Sequence, residues 1–114
     1  MRSFTPRIRV EVYVPIGFHL YYQNLLTWVI EEFTQLRGGC TVNENVAGYY
    51  LSRSNEVIED RVTVVYSDFP MNWYKKADQA EVLAYCAGLK QFLFEKLWEE
   101  EIIISAYPVS HLGE

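Results

Sequence analysis

The residue with the clearest chemical potential in this sequence is His19, which precedes Tyr21 and Tyr22. An imidazole titrates near neutral pH and can act as a general acid or base when a substrate lies within hydrogen-bonding distance. A lone histidine at the start of a predicted helix is more often a surface or capping residue. Catalysis by His19 or by tyrosines is therefore the alternative interpretation of the chain.

A second group of chemically capable side chains consists of charged residues and tyrosines on predicted strands. These are Arg9, Glu11, Tyr13, Tyr50, Glu59 and Arg61. A guanidinium holds a carboxylate or a phosphate through two parallel hydrogen bonds, and a tyrosine can stack on a ligand or donate to it. We expect these six residues to form the binding site, with a small anionic ligand between Arg9 and Arg61.

The potential metal ligands are scattered. His19, Cys40, Cys86 and His111 are isolated in the sequence, and no two of them have the spacing of a metal site. We therefore expect no metal and no cofactor. The two cysteines fit reduced thiols buried in a cytoplasmic protein.

The composition indicates one acidic domain that is rich in aromatic residues. Of the 114 residues, 50% are hydrophobic and 16% aromatic, and the formal net charge is −5. This length suits a single domain, residues 1–114, and the hydrophobic content excludes a disordered chain. Proteins that bind phosphate backbones are usually basic, so we expect no nucleic-acid partner. The apolar runs are too short to span a membrane and no signal peptide is visible, so we expect a cytoplasmic protein.

The first strand and the first helix are the clearest predicted elements. Residues 7–15 alternate apolar and polar side chains, which predicts a strand that ends at Pro15. Residues 20–37 repeat apolar side chains every three or four positions, which predicts a helix. Gly38-Gly39 supplies its stop, because glycine readily adopts the left-handed conformation at a helix end.

A hairpin follows, with strands expected at residues 46–52 and 57–66 and a turn centred on Ser54-Asn55. Residues 43–45 are expected to interrupt its first strand with a bulge or short loop. With this turn, Tyr50 faces Glu59 and Gly48 faces Arg61. The alternation then puts Val62, Val64 and Tyr66 on the packed face, and Glu59, Arg61, Thr63 and Val65 on the open face.

Two more elements complete the chain. Residues 77–99 predict a second helix, with Val82, Leu83, Cys86, Leu89, Leu93 and Leu97 on its packed face. Residues 102–109 predict a last strand that ends at Pro108. We expect residues 1–6 to be a loose lead-in and the tail, residues 110–114, to fray.

The predicted order is strand, helix, strand, strand, helix, strand. It is the βαββαβ pattern of ferredoxin-like α+β folds, an antiparallel sheet with both helices on one face. In this topology the chain resembles oligomeric PII-like and CutA-like regulators and dimeric αβ-barrel proteins. It resembles a small bacterial family of this kind more than any of these. The nucleotide-binding loops of PII proteins and a heme or monooxygenase pattern are not recognisable in it.

The resemblance implies that the uncovered sheet face pairs with another copy. One interpretation is therefore a homo-oligomer with Tyr13 and Tyr50 at the interface, and a second is a small-ligand pocket beside that face. The third is a small-molecule enzyme of dimeric αβ-barrel type. We expect a homo-oligomeric binding or regulatory protein whose ligand, a small molecule or a protein, lies at the open sheet face or a subunit cleft.

Overall fold

The computed structural model describes residues 3–16, 20–97 and 102–113. Its six elements, in chain order, are the strand β1 (Phe4–Pro15), the helix α1 (Leu20–Arg37), the strands β2 (Thr41–Leu51) and β3 (Val57–Phe69), the helix α2 (Lys76–Leu97) and the strand β4 (Ile103–Leu112). The predicted α+β class, with two helices and four strands, is confirmed, and the element order fits the ferredoxin-like pattern.

The four strands form one antiparallel sheet in the order β2-β3-β1-β4. β3 and β1 are therefore central, and β2 and β4 form the edges. β1 alternates as predicted: Ile8, Val10, Val12 and Val14 are buried, whereas the residues between them are half-buried. This strand places one face of the sheet in the core and leaves the other without a helix layer.

Both helices contribute to the core on the buried face of β1. α1 supplies Leu25, Val29 and Phe33, and α2 supplies Val82, Leu89 and Leu93. Full burial of an aliphatic or aromatic side chain of this size stabilises a fold by about 1.5–3 kcal/mol. α1 ends as predicted: Gly38 has a φ of 83°, and its N–H donates to the carbonyl of Thr34 at 3.0 Å.

The predicted packed face of β3 is wrong. In the register with β1, Val12 faces Val65 and Ile8 faces Phe69, so the core-facing residues of β3 are the odd-numbered ones from Thr63 to Phe69, whereas Val64, 9% exposed, is buried on the other face. Phe69 explains the difference, because it is completely buried and lies edge-on to Phe33 with ring centroids 6.2 Å apart. The strand continues through Asp68 instead of breaking there, and Phe69 sets which residues face the core.

The hairpin register also differs from the prediction. A five-residue loop spans residues 52–56, with the N–H of Ser52 bonded to the carbonyl of Glu56, and Asn55 has a φ of 63°. Tyr50 consequently faces Ile58, and Gly48 faces Asp60. The predicted interruption at residues 43–45 is confirmed, because the β2 register shifts between Asn43 and Val46 and Asn45 has a φ of 57°.

Two boundary predictions are corrected at the other edge of the sheet. β4 continues past Pro108, which faces Ile8, and residues 110–112 pair with residues 4–6 of β1. An edge strand tolerates proline, because one side of its backbone needs no hydrogen-bond partner. In α2, Leu83 is exposed rather than packed.

The far end of the hairpin extends beyond the rest of the sheet. The pairing of β1 with β3 stops at Val62, and the N–H of Ile16 donates to the carbonyl of Arg61 at that point. Residues 46–61, called the arm below, thus form a two-stranded ribbon among the described residues. The principal extents of the molecule, 52, 30 and 24 Å, reflect this elongation.

Candidate functional site

The open face of the sheet, on the side opposite the core, carries Arg9, Glu11 and Tyr13 of β1. The register places Asp68 and Tyr107 on either side of Arg9. Three of the predicted site residues therefore lie side by side. They form two linked groups of hydrogen bonds with residues of β3 and β4.

The first group is centred on Asp68. Arg9 donates to it from Nε at 2.8 Å and from Nη2 at 3.0 Å, a forked ion pair in which the side chain of Asp68 is 14% exposed. The Arg9 guanidinium also lies 4.1 Å from the ring centroid of Tyr66, a cation–π contact. The hydrogen bond from Arg9 lowers the pKa of Asp68, and the same bond raises the pKa of Arg9.

The same aspartate contacts a histidine. Nε2 of His111 lies 2.7 Å from Oδ2 of Asp68. The predicted fraying of the tail that contains His111 is wrong, because His111 belongs to β4 and faces Thr5 of β1. The continuing alternation of residues 103–112 is the signal that could have found it, and the proline at 108 concealed that signal.

The second group is centred on Glu11. Its carboxylate accepts a hydrogen bond from the hydroxyl of Tyr13 at 3.0 Å and another from the hydroxyl of Tyr107. The bond to Glu11 raises the pKa of Tyr107, whereas partial burial, followed by the bond to Glu11, raises that of Tyr13. Both phenols are therefore protonated donors at neutral pH.

The remaining three predicted site residues lie elsewhere. Tyr50 is on the open-face side of β2 but far along the arm. Glu59 and Arg61 alternate with the buried Thr63 and Val65, so they lie on the opposite side of the sheet. Their predicted position on the open face is therefore wrong, because the phase of β3 is set by Phe69.

Arg61 is engaged on its own side of the sheet. Its Nη2 lies 2.7 Å from Oε1 of Glu59, and its Nη1 donates to the carbonyl of Asn45 at 3.3 Å. Arg9 and Arg61 are on opposite faces, so the structure does not bring them together around one anion.

His19, the histidine of the alternative catalytic interpretation, lies outside the described residues. In the described part of the chain, no group of three His, Cys, Asp or Glu side chains is arranged to hold a metal ion. Within those same ranges, neither helix is both long and apolar enough to cross a membrane.

Comparison with known proteins adds no assignment: no family model, no curated protein and no solved structure matches the chain. What the fold and the site define is a small α+β protein with a helix-free sheet face on which charged and phenolic groups are paired with one another.

Proposed function

We propose that this chain is a ferredoxin-like, homo-oligomeric binding protein. In this proposal the arm and the open face of the sheet pack against another copy, and the ligand lies on that face or at the cleft between subunits. The observed strand order and the shared core of the two helices support the ferredoxin-like assignment. The cytoplasmic location expected from the sequence stays a prediction.

The exposed apolar surface of the arm is the observation that carries the proposal. Tyr49, Tyr50, Leu51 and Val57 each expose more than half of their surface. Alternation places Tyr50 on one side of the ribbon and its two neighbours on the other, so both sides are apolar. An isolated two-stranded ribbon is marginally stable in water, and contiguous apolar surface of this kind marks interaction sites. A second copy would supply the packing that the two-stranded ribbon lacks on its own.

The open face suits such an interface electrostatically. A buried charge is costly unless a partner neutralises it and satisfies its hydrogen bonds. Here Arg9 and Asp68 neutralise each other, and Glu11 accepts bonds from two phenols. Another subunit could therefore cover the Arg9–Asp68 pair without leaving an unpaired charge, and the Glu11 carboxylate would keep its two hydrogen bonds. Ile103, which is 54% exposed beside Tyr13, adds apolar area to the same face.

The pairing of Arg9 with Asp68 also limits which ligands can bind the open face. The forked donors of Arg9 are already bonded to Asp68, so a small anion would have to displace an intramolecular carboxylate. A protein segment or a neutral molecule that packs against the open face without taking these donors meets no such competition. This consideration favours a protein or neutral ligand over the anion expected from the sequence.

Molar mass in solution tests the proposal. Light scattering after size-exclusion chromatography should give a dimer or larger assembly that persists on dilution. The double variant Tyr50→Lys/Val57→Lys, which places charges on both sides of the arm, should shift the mass towards the monomer. The control Tyr74→Lys alters a more exposed tyrosine, 82% exposed, in the segment between β3 and α2 and should leave the mass unchanged. A wild-type monomer at every concentration would refute the proposal.

The alternative, an enzyme of dimeric αβ-barrel type, would use His19 or the tyrosines. The raised pKa values of Tyr13 and Tyr107 favour binding over proton abstraction, because a catalytic base needs a pKa near the working pH. The two roles separate in one assay. A bound ligand raises the melting temperature and is recovered intact, whereas a substrate is consumed.

A further inference from the structure

A separate cavity lies on the helix side of the sheet, opposite the open face. It has a volume of about 330 Å³ and lies between the end of β1, the first half of α1 and the bulge of β2. Val14, Ile16 and Leu26 supply much of its apolar wall, and Glu44 and Thr63 are among its polar residues. This volume is at the small end for ligand pockets and suits a molecule of about ten non-hydrogen atoms.

Thr63 gives the cavity wall a hydroxyl that has no partner among the described residues. The residue is only 5% exposed, and its hydroxyl makes no hydrogen bond to the described residues. Ser67, two positions before the end of the same buried face, instead donates to the carbonyl of Gly39 at 2.8 Å. The hydroxyl is accessible from the cavity, so its hydrogen bond can be made to a molecule held there.

The β2 bulge brings a carboxylate to the same cavity. The register shift between Asn43 and Val46 releases residues 44 and 45 from the ladder, and Asn45 takes a left-handed conformation. Arg61 fixes this conformation by donating from Nη1 to the carbonyl of Asn45 at 3.3 Å. The bulge thereby places Glu44 at the cavity wall rather than in the regular alternation of the strand.

The charge that the described residues place at the cavity is negative. Among the described residues that line it, Glu44 is the one charged side chain. The nearby guanidinium of Arg61 is already paired with Glu59 at 2.7 Å. A ligand must offer apolar surface to Val14, Ile16 and Leu26, a cation to Glu44 and a hydrogen-bond donor to Thr63.

We propose that this cavity binds a small apolar molecule that carries a primary ammonium group. The ammonium donates to the Glu44 carboxylate and the Thr63 hydroxyl, and the apolar part fills the space against α1. This site is distinct from the proposed assembly surface, because its residues lie on the side of the sheet opposite the open face and outside the arm.

Phenethylamine is a suitable probe, and 3-phenylpropionate, with a similar shape and the opposite charge, is its matched control. Titrations are followed by calorimetry and by amide chemical shifts. The amine should bind saturably below about 10 mM, the range expected of a ligand this small, and shift residues of the cavity. The carboxylate should not bind.

Two conservative variants identify the groups responsible. Glu44→Gln keeps the shape and removes the charge, and it should weaken amine binding about tenfold. Thr63→Val keeps the volume and should weaken it about threefold or more, the loss of one hydrogen bond. Glu56→Gln removes an exposed carboxylate at the hairpin turn and should leave binding unchanged.

Three results would overturn the proposal: no saturable binding of the amine, equal binding of the carboxylate, or unchanged affinity in Glu44→Gln. The outcome is independent of the assembly. Amine binding to a monomer would refute the proposed oligomer alone, and an oligomer that ignores the amine would refute this site alone.

Discussion

Replacing Asp68 with asparagine should remove the strongest polar interaction on the open face. The amide of the Asp68→Asn variant would present one oxygen to Arg9 and turn an N–H group towards the guanidinium or the imidazole. The wild-type pair has two charge-assisted bonds of 2.8 and 3.0 Å, with 26% of the Arg9 side chain and 14% of the Asp68 side chain exposed. Exposed ion pairs contribute about 0–1 kcal/mol, and hydrogen bonds to charged groups about 1.5–3 kcal/mol.

Because this pair is mostly shielded, we expect Asp68→Asn to lower the free energy of unfolding by about 2 kcal/mol at pH 7. For a chain of 114 residues, this corresponds to a fall of roughly 8 °C in Tm. The measurement is urea unfolding, with Asp60→Asn as the control. Asp60 lies on the same strand, is exposed and accepts a bond from the backbone N–H of Arg61 at 3.0 Å. The control should change stability by less than about 0.5 kcal/mol.

The effect should depend on pH in one direction. The folded pKa of Asp68 is lowered from the ordinary value of 3.8, so its contribution is present above pH 3.8 and is lost as pH falls towards the folded pKa. The stabilities of wild type and Asp68→Asn should therefore converge below pH 3.8. A difference that persists without change in acid, or a variant no less stable than Asp60→Asn at pH 7, would refute the reasoning.

Three further predictions concern other parts of the fold. Gly88→Ala should raise the free energy of unfolding by about 0.5–1 kcal/mol in urea, because the added methyl meets no atom within 4 Å and glycine weakens a helix interior. Asn45→Val should lower the free energy of unfolding by about 1–2 kcal/mol, because a β-branched residue is strained at a φ of 57°. Asn45→Gly should lower it by no more than about 0.5 kcal/mol, because glycine adopts this φ without strain. Burial and the nearby Glu32 raise the pKa of Tyr85 well above its ordinary value of 10, so an alkaline absorbance titration should show late phenols, and Tyr85→Phe should remove one of them. Equal stabilities of the two Asn45 variants, no gain in Gly88→Ala, or an unchanged titration in Tyr85→Phe would contradict these expectations.

Local patterns predicted the elements whose polar and apolar residues separate cleanly. β1 has valine or isoleucine at every second position from Ile8 to Val14. α1 is followed by Gly38, which has a positive φ. Both elements could therefore be predicted from the sequence. β3 is different, because it is apolar in both phases: Val62 and Val64 in one, Val65 and Phe69 in the other. When both sets of alternate residues are apolar, periodicity alone does not show which set faces the core. That depends on packing against α1 and α2.

The interactions of the open face could be predicted only in part. Arg9, Glu11 and Tyr13 were found from alternation, but their partners Asp68 and His111 were not. Asp68 precedes a Phe-Pro pair and His111 follows a proline, which are positions where strands usually stop. Both strands continue because the long-range ladder with β1 supplies the hydrogen bonds, and neither proline-containing segment shows by its local stop signals that this pairing extends past it.

Which alternate residues of β3 face the core, called its phase, affects the chemistry of both faces of the sheet. Because Phe69 occupies the core, Thr63 is buried beside the helix-side cavity, and Asp68 is turned to the open face to pair with Arg9. The opposite phase would have joined the charges of Arg9 and Arg61 on one face and favoured an anion. The observed phase instead pairs Arg9 with Asp68 and Arg61 with Glu59, which leaves Glu44 as the charge that the described lining residues offer at the cavity. The selectivity expected at that cavity, for a cation rather than an anion, thus follows from one buried aromatic residue at the end of a strand.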